Sequence, residues 1–120
     1  MTNIESGPEA QWRQALGEGR FLLQRDRESG AYTFPPRVGD DAEWVEASGR
    51  GVVYSVTTIQ QRAPAEPYNV VLVDLDEGPR VMSRVEGLAP DRVTIGMRVA
   101  ARISQGEDGP ILLFDPAQAA

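Results

Sequence analysis

From residue 52 to residue 114 the chain runs through short apolar segments, several of them alternating with polar positions and most set off by Gly, Pro or Asp. Residues 52–59 (VVYSVTTI) are rich in β-branched and aromatic types, which suit a pleated, half-buried surface. Residues 69–76 (NVVLVDLD) follow. Their first half is apolar at every position, as in a strand covered on two faces, and alternation begins only at its end. Glu77-Gly78-Pro79 is a turn signal. Residues 80–86 then set Val81, Ser83 and Val85 against Arg80, Met82, Arg84 and Glu86, so one face is wet. The clearest period-two run sets Met97, Val99, Ala101 and Ile103 against Arg98, Ala100 and Arg102, and residues 111–114 close the pattern after a turn at 105–109. Gly49 and Gly51 flank Arg50 at the entry to the first strand, where a bend or bulge is expected. Residues 60–67 read as a polar loop, and 87–94 as a connection with one helical turn begun at Pro90. Five to six short strands at this spacing predict a small closed antiparallel barrel.

The N-terminal third has a different texture. Trp12, Ala15 and Leu16 recur at helical spacing, Pro8 suits a first helical turn, and Glu9 suits the positive end of the helix dipole. Gly17 and Gly19 end that helix. Residues 20–25 (RFLLQR) fit a short strand or a further helical turn. Residues 26–41 look irregular, with turn formers at Ser29-Gly30 and Gly39-Asp40 and a Pro35-Pro36 pair that forbids regular helix or central strand. Tyr32 and Phe34 fall on one side of this extended piece. A linker would not carry two rings. Either they cover the barrel wall or they are offered, with Trp12 and Phe21, to another protein. Residues 42–47 (AEWVEA) read as a short strand. The division expected is 1–41 for helix and arm, and 42–120 for the barrel.

Composition narrows the chemistry sharply. The chain of 120 residues has no cysteine and no histidine, and all twelve basic residues are arginine. Thiolate nucleophiles, cysteine-ligated zinc, the usual neutral-pH general base and Schiff-base lysines are thereby excluded. The densest acidic cluster, Asp74, Asp76 and Glu77, reads as carboxylates decorating a hairpin end. A net charge of −6 opposes binding to nucleic acid or to an anionic membrane. No signal peptide or membrane-spanning run is apparent, so a cytoplasmic protein is expected. No catalytic residue, metal or cofactor is assigned.

Read in order, Trp12-Arg13-Gln14-Ala15-Leu16 with Glu18-Gly19-Arg20, then Leu22-Leu23-Gln24-Arg25 and Phe34-Pro35-Pro36-Arg37, resemble a known family. Glu43-Trp44-Val45 leading into Ser48-Gly49-Arg50-Gly51-Val52-Val53-Tyr54-Ser55 continues the resemblance, as do Val73-Asp74-Leu75-Asp76-Glu77-Gly78, Met82-Ser83 and Ile95-Gly96-Met97-Arg98-Val99. The family is the zinc-ribbon/OB-fold proteins associated with thiolases, domain of unknown function 35. The resemblance implies a mainly β fold: an OB barrel with an N-terminal helix and a ribbon arm. Such members usually carry two Cys-x-x-Cys pairs that hold zinc. Here Asp26 and Ser29 stand where the first pair would be, and the shortened stretch 37–43 leaves no room for the second. A hard-metal site from Asp26 with Asp40 or Asp41 is conceivable, but exposed loop carboxylates are ordinarily solvated. The arm is expected to be degenerate and metal-free.

The resemblance further implies a non-catalytic accessory subunit that binds a thiolase-superfamily acyl-CoA enzyme (a thiolase, aldolase or acyltransferase). Trp12, Phe21, Tyr32, Phe34 and Arg37 are the candidate partner interface. An alternative is direct binding of acyl-CoA, alone or jointly with the partner, through Arg50, Arg80 and Arg84, whose guanidinium forks match phosphate. The competing reading pairs those arginines with neighbouring carboxylates. Single-stranded nucleic-acid binding, common among OB folds, is disfavoured by the acidic charge.

Overall fold

The computed structural model describes residues 7–38, 42–107 and 109–117. Two compact units divide the chain: residues 1–48 with 103–112, and residues 49–102 with 113–120.

In the first unit, helix α1 (Pro8–Gly17) begins with proline in its first turn and Glu9 beside it, and it buries Ala15 and Leu16. It ends where Gly19 takes a φ of 84°, and Arg20 N–H donates back to the Ala15 carbonyl at 2.9 Å. Glycine adopts this left-handed geometry without a Cβ penalty, which is why the helix stops there. Residues 20–25 resolve as a strand: β1 (Leu22–Asp26) buries Leu22, Leu23 and Gln24. It is the centre of a three-stranded antiparallel sheet, flanked by β2 (Tyr32–Thr33) and β3 (Ala42–Glu46). The arm is thus more ordered than its irregular sequence suggests. The strand expected to open the barrel, β3, instead pairs with β1 from Leu22↔Glu46 to Asp26↔Ala42.

The other sheet has the order β6-β5-β4-β7-β8. Its members are β4 (Arg50–Ile59), β5 (Tyr68–Leu75), β6 (Arg80–Ser83), β7 (Arg98–Gly106) and β8 (Gly109–Pro116). A 3-10 turn, Pro90–Arg92, lies between β6 and β7 where the sequence placed a helical turn at Pro90. The sheet returns on itself through a parallel bridge, Val85↔Phe114. There Phe114 N–H donates to Arg84 O at 3.0 Å, and Glu86 N–H to Phe114 O at 2.8 Å. A five-stranded antiparallel sheet closed by one parallel contact is an OB-type barrel. Val53, Val71, Val73, Leu75, Val81, Val85, Val93, Val99, Leu113 and Phe114 fill the core of the second unit.

β5 departs from expectation. It alternates along its whole length, with Asn69, Val71, Val73 and Leu75 buried and Val70 and Leu72 only half-buried on the outer face. Its apolar start therefore marks an outer surface of the barrel wall rather than double burial. The inward Asn69 is 1% exposed. Its side chain accepts from Val85 N–H (2.9 Å) and donates to Val85 O (3.0 Å) and Pro90 O (3.3 Å), so no polar atom is stranded.

The irregularity expected at the entry to β4 is divided between two places. A register shift falls at Val53/Ser55, around Tyr54, while Gly51 serves a close approach: a Cβ there would lie 2.6 Å from both the Asp74 carbonyl oxygen and Val73 Cγ1. Backbone cannot yield cheaply to such contact. Gly51→Ala is expected to destabilise the barrel by about 1–3 kcal/mol, read as a lower urea midpoint at unchanged slope. An unchanged midpoint would show that β4 and β5 can separate freely.

Candidate functional site

The residues singled out from sequence fall into two groups, one in each unit. In the first unit, Trp12 on α1 is the hub. Its indole Nε1–H donates to Leu22 O on β1 at 2.9 Å. Its ring meets Phe21 edge-on at 6.4 Å and Phe34 at 5.4 Å and 63°. Such edge-to-face geometry suits the aromatic quadrupole. Phe21 is only 7% exposed, which corrects its assignment to the interface: in the chain alone it is a core residue under Trp12. Trp12, Tyr32 and Phe34 are half-buried. Tyr32 lies 5.9 Å beneath the Arg25 guanidinium. Arg37 is exposed, but its backbone is held, since Gln24 accepts from Arg37 N–H at 2.7 Å and donates to Arg37 O at 2.8 Å. Sequence reasoning missed Gln24, because a glutamine in a short strand carries no periodicity signal of its own.

In the second unit, Arg80 stacks on Tyr54 at 3.5 Å and donates to Asp74 Oδ1 at 2.6 Å. The hydrogen bond to Asp74 is the main reason its pKa rises above the ordinary arginine value. Arg84 lies over Tyr68 at 4.8 Å and 3.7 Å from Glu86. These two arginines therefore have the acidic partners that the competing reading required, although Arg80 pairs with Asp74 across β5 and β6. Arg50 is exposed at the start of β4, and its carbonyl accepts from Asp76 N–H at 2.9 Å. Met82 (71% exposed) and Tyr54 (49% exposed) share this unit's surface. Surface ion pairs of this kind contribute little to stability, and they compete with any anion for the same guanidinium.

Zinc does not fit the arm. Asp26 Oδ1 accepts from Glu28 N–H at 2.7 Å and Ser29 N–H at 3.2 Å, and Ser29 Oγ accepts from Ala31 N–H at 3.2 Å. Both side chains at the first knuckle thus close the turn themselves. The chain has no cysteine or histidine, and among the described residues no three acidic, His or Cys side chains converge. Asp40 and Asp41 lie outside the described residues.

Comparison with known proteins decides the family. Residues 44–104 match the ChsH2 C-terminal OB-fold domain. A DUF35 domain-containing scaffold protein of Methanothermobacter thermautotrophicus is 34% identical over 115 residues, which cover 83% of this chain and 86% of the relative. The chain belongs to the DUF35 family. A solved structure described as an Ltp2-ChsH2(DUF35) aldolase contains a chain that is 32% identical, with a TM-score of 0.80 over 92% of this chain and 95% of that one. The probable enoyl-CoA hydratase alpha subunit of Thermomonospora curvata is 37% identical over 97 residues, but this DUF35 chain spans only 30% of its length. No helix among the described residues is long and apolar enough to cross a membrane.

Proposed function

We propose that this chain is a non-catalytic accessory subunit that binds and stabilises or completes a thiolase-superfamily acyl-CoA enzyme. The observation that carries the reading is its likeness, over 92% of this chain, to a chain of the structure described as an Ltp2-ChsH2(DUF35) aldolase. The side-chain inventory agrees, since a chain without Cys, His or Lys has no thiolate or amine nucleophile and no imidazole base to activate a hydroxyl. The half-buried rings of Trp12, Tyr32 and Phe34, with the exposed Arg37, form the proposed contact surface. Large rings that are partly covered already gain area on docking at little entropic cost.

Charge supports the same unit as the docking element. Residues 1–48 and 103–112 carry five arginines against eleven carboxylates, whereas residues 49–102 and 113–120 carry seven against seven. The whole net charge of −6 thus sits on the first unit. Association should quicken when the facing surface is cationic, and salt should weaken it. Coexpression with a candidate thiolase-like enzyme from the same cell is expected to yield one coeluting complex whose affinity falls several-fold between about 50 and 500 mM salt. A chain that elutes alone, beside an enzyme fully active without it, defeats the proposal.

A further inference from the structure

The misfit of zinc leaves open what holds the ribbon arm together. A metal between the two knuckle positions would tie the β1–β2 turn to the stretch that follows Phe34-Pro35-Pro36. We infer that Gln24 performs this cross-link in place of the metal. Gln24 sits at the centre of the three-stranded sheet, in register with Thr33 on β2 and Trp44 on β3. Its backbone therefore lies between two partner strands, and its side chain is free for another task. That side chain reaches thirteen residues along the chain to Arg37 and satisfies both of its backbone groups. A carboxamide has one acceptor and one donor end, so it reproduces the pair of bonds that a neighbouring strand would supply. Among the described residues, 34–38 pair with no strand, and this clamp takes that place.

Burial singles out Gln24 among the arm's polar contacts. Arg25 and Arg27 both approach Glu43, at 3.3 and 3.9 Å, but all three side chains are at least 38% exposed, where ion pairs are screened and weak. Gln24 is 8% exposed, so an unmade bond there strands a donor or acceptor away from water. Asn69 does the same for Val85 in the barrel unit, where both backbone groups of one residue are held by one buried carboxamide. In each unit, then, a single buried amide side chain holds both backbone groups of one residue.

The full chain tests this. Amide exchange followed by NMR, with and without EDTA, and zinc content by elemental analysis are measured on wild type and Gln24→Ala. The wild type should hold far less than one equivalent of zinc, with an Arg37 amide whose protection EDTA leaves unchanged. Gln24→Ala should speed exchange at Arg37 about tenfold or more and leave the Val73 amide as it was. Stoichiometric zinc whose removal exposes Arg37 would overturn the inference, as would an Arg37 amide unprotected in the wild type or unaffected by the substitution. Should Gln24→Ala not fold, the wild-type measurements still decide. Gln24→Glu adds an independent reading: a protonated carboxyl can both donate and accept, so Arg37 should be better protected at low pH than at neutral pH. Equal protection at both would also count against the clamp.

Discussion

Phe114→Ala is expected to unfold the barrel unit or to leave it marginal. The ring is fully buried, at 0% exposure, and truncating a buried phenylalanine costs about 3–5 kcal/mol. Native domains hold only about 5–15 kcal/mol in all. Phe114 is also the residue whose N–H and C=O make the closing bonds to Arg84 and Glu86. A void beside that contact loosens the place where, among the described residues, the sheet meets itself by a parallel pairing. Equilibrium urea unfolding followed by far-UV circular dichroism should show a midpoint lowered by that cost. Met82→Ala, on a side chain 71% exposed, should stay within about 0.5 kcal/mol of wild type. A Phe114 variant as stable as the Met82 variant would mean that closure lies elsewhere.

The barrel was legible because its signals are local. β6 and β7 set the inward Val81 and Val99 against the outward Arg80, Arg98 and Arg102, and period two follows from strand geometry alone. The turn after β5 and the helical turn at Pro90 were likewise written in Gly and Pro. What failed were questions of partnership. Residues 42–46 read as a strand, yet nothing in Ala-Glu-Trp-Val-Glu says whether it pairs with β1 or with β4. The Val70-Val71-Leu72 run looks doubly buried because an apolar residue on an outer wall has the same letter as one in a core. Phe21 and Phe34 illustrate the same limit for the candidate site: adjacent aromatic segments gave no clue that one ring is buried and the other half-exposed, both in edge contact with Trp12. Gln24 and Asn69 were invisible for a further reason, since a buried amide is recognised only by the backbone groups it meets, and those lie thirteen and sixteen residues away.

Trp12→Ala is expected to have the largest effect on the N-terminal unit and to separate its core from its proposed docking surface. The substitution removes the ring between Phe21 and Phe34 and the donor to Leu22 O. Large-to-small aromatic truncation costs about 3–5 kcal/mol when the ring is enclosed, and somewhat less is expected at a half-buried position. Trp12→Phe keeps most of the ring contacts and loses the hydrogen bond, for a cost of about 1–2 kcal/mol. The readout is favourable because the chain has two tryptophans, Trp12 and Trp44, and both lie in this unit. In Trp12→Ala the fluorescence of Trp44, whose indole donates to Gln11 Oε1 at 2.9 Å, reports the unit's unfolding without interference from the barrel. Tyr32→Ala is the counterpart. Tyr32 is half-buried and meets Arg25 only at 5.9 Å, so it should leave the Trp44 transition within about 1 kcal/mol of wild type while weakening capture of the thiolase-like enzyme. If Tyr32→Ala instead unfolds the unit as Trp12→Ala does, both rings belong to one core and the proposed contact surface is wrong. If neither substitution moves the Trp44 transition, Trp12 is not the hub that its geometry indicates.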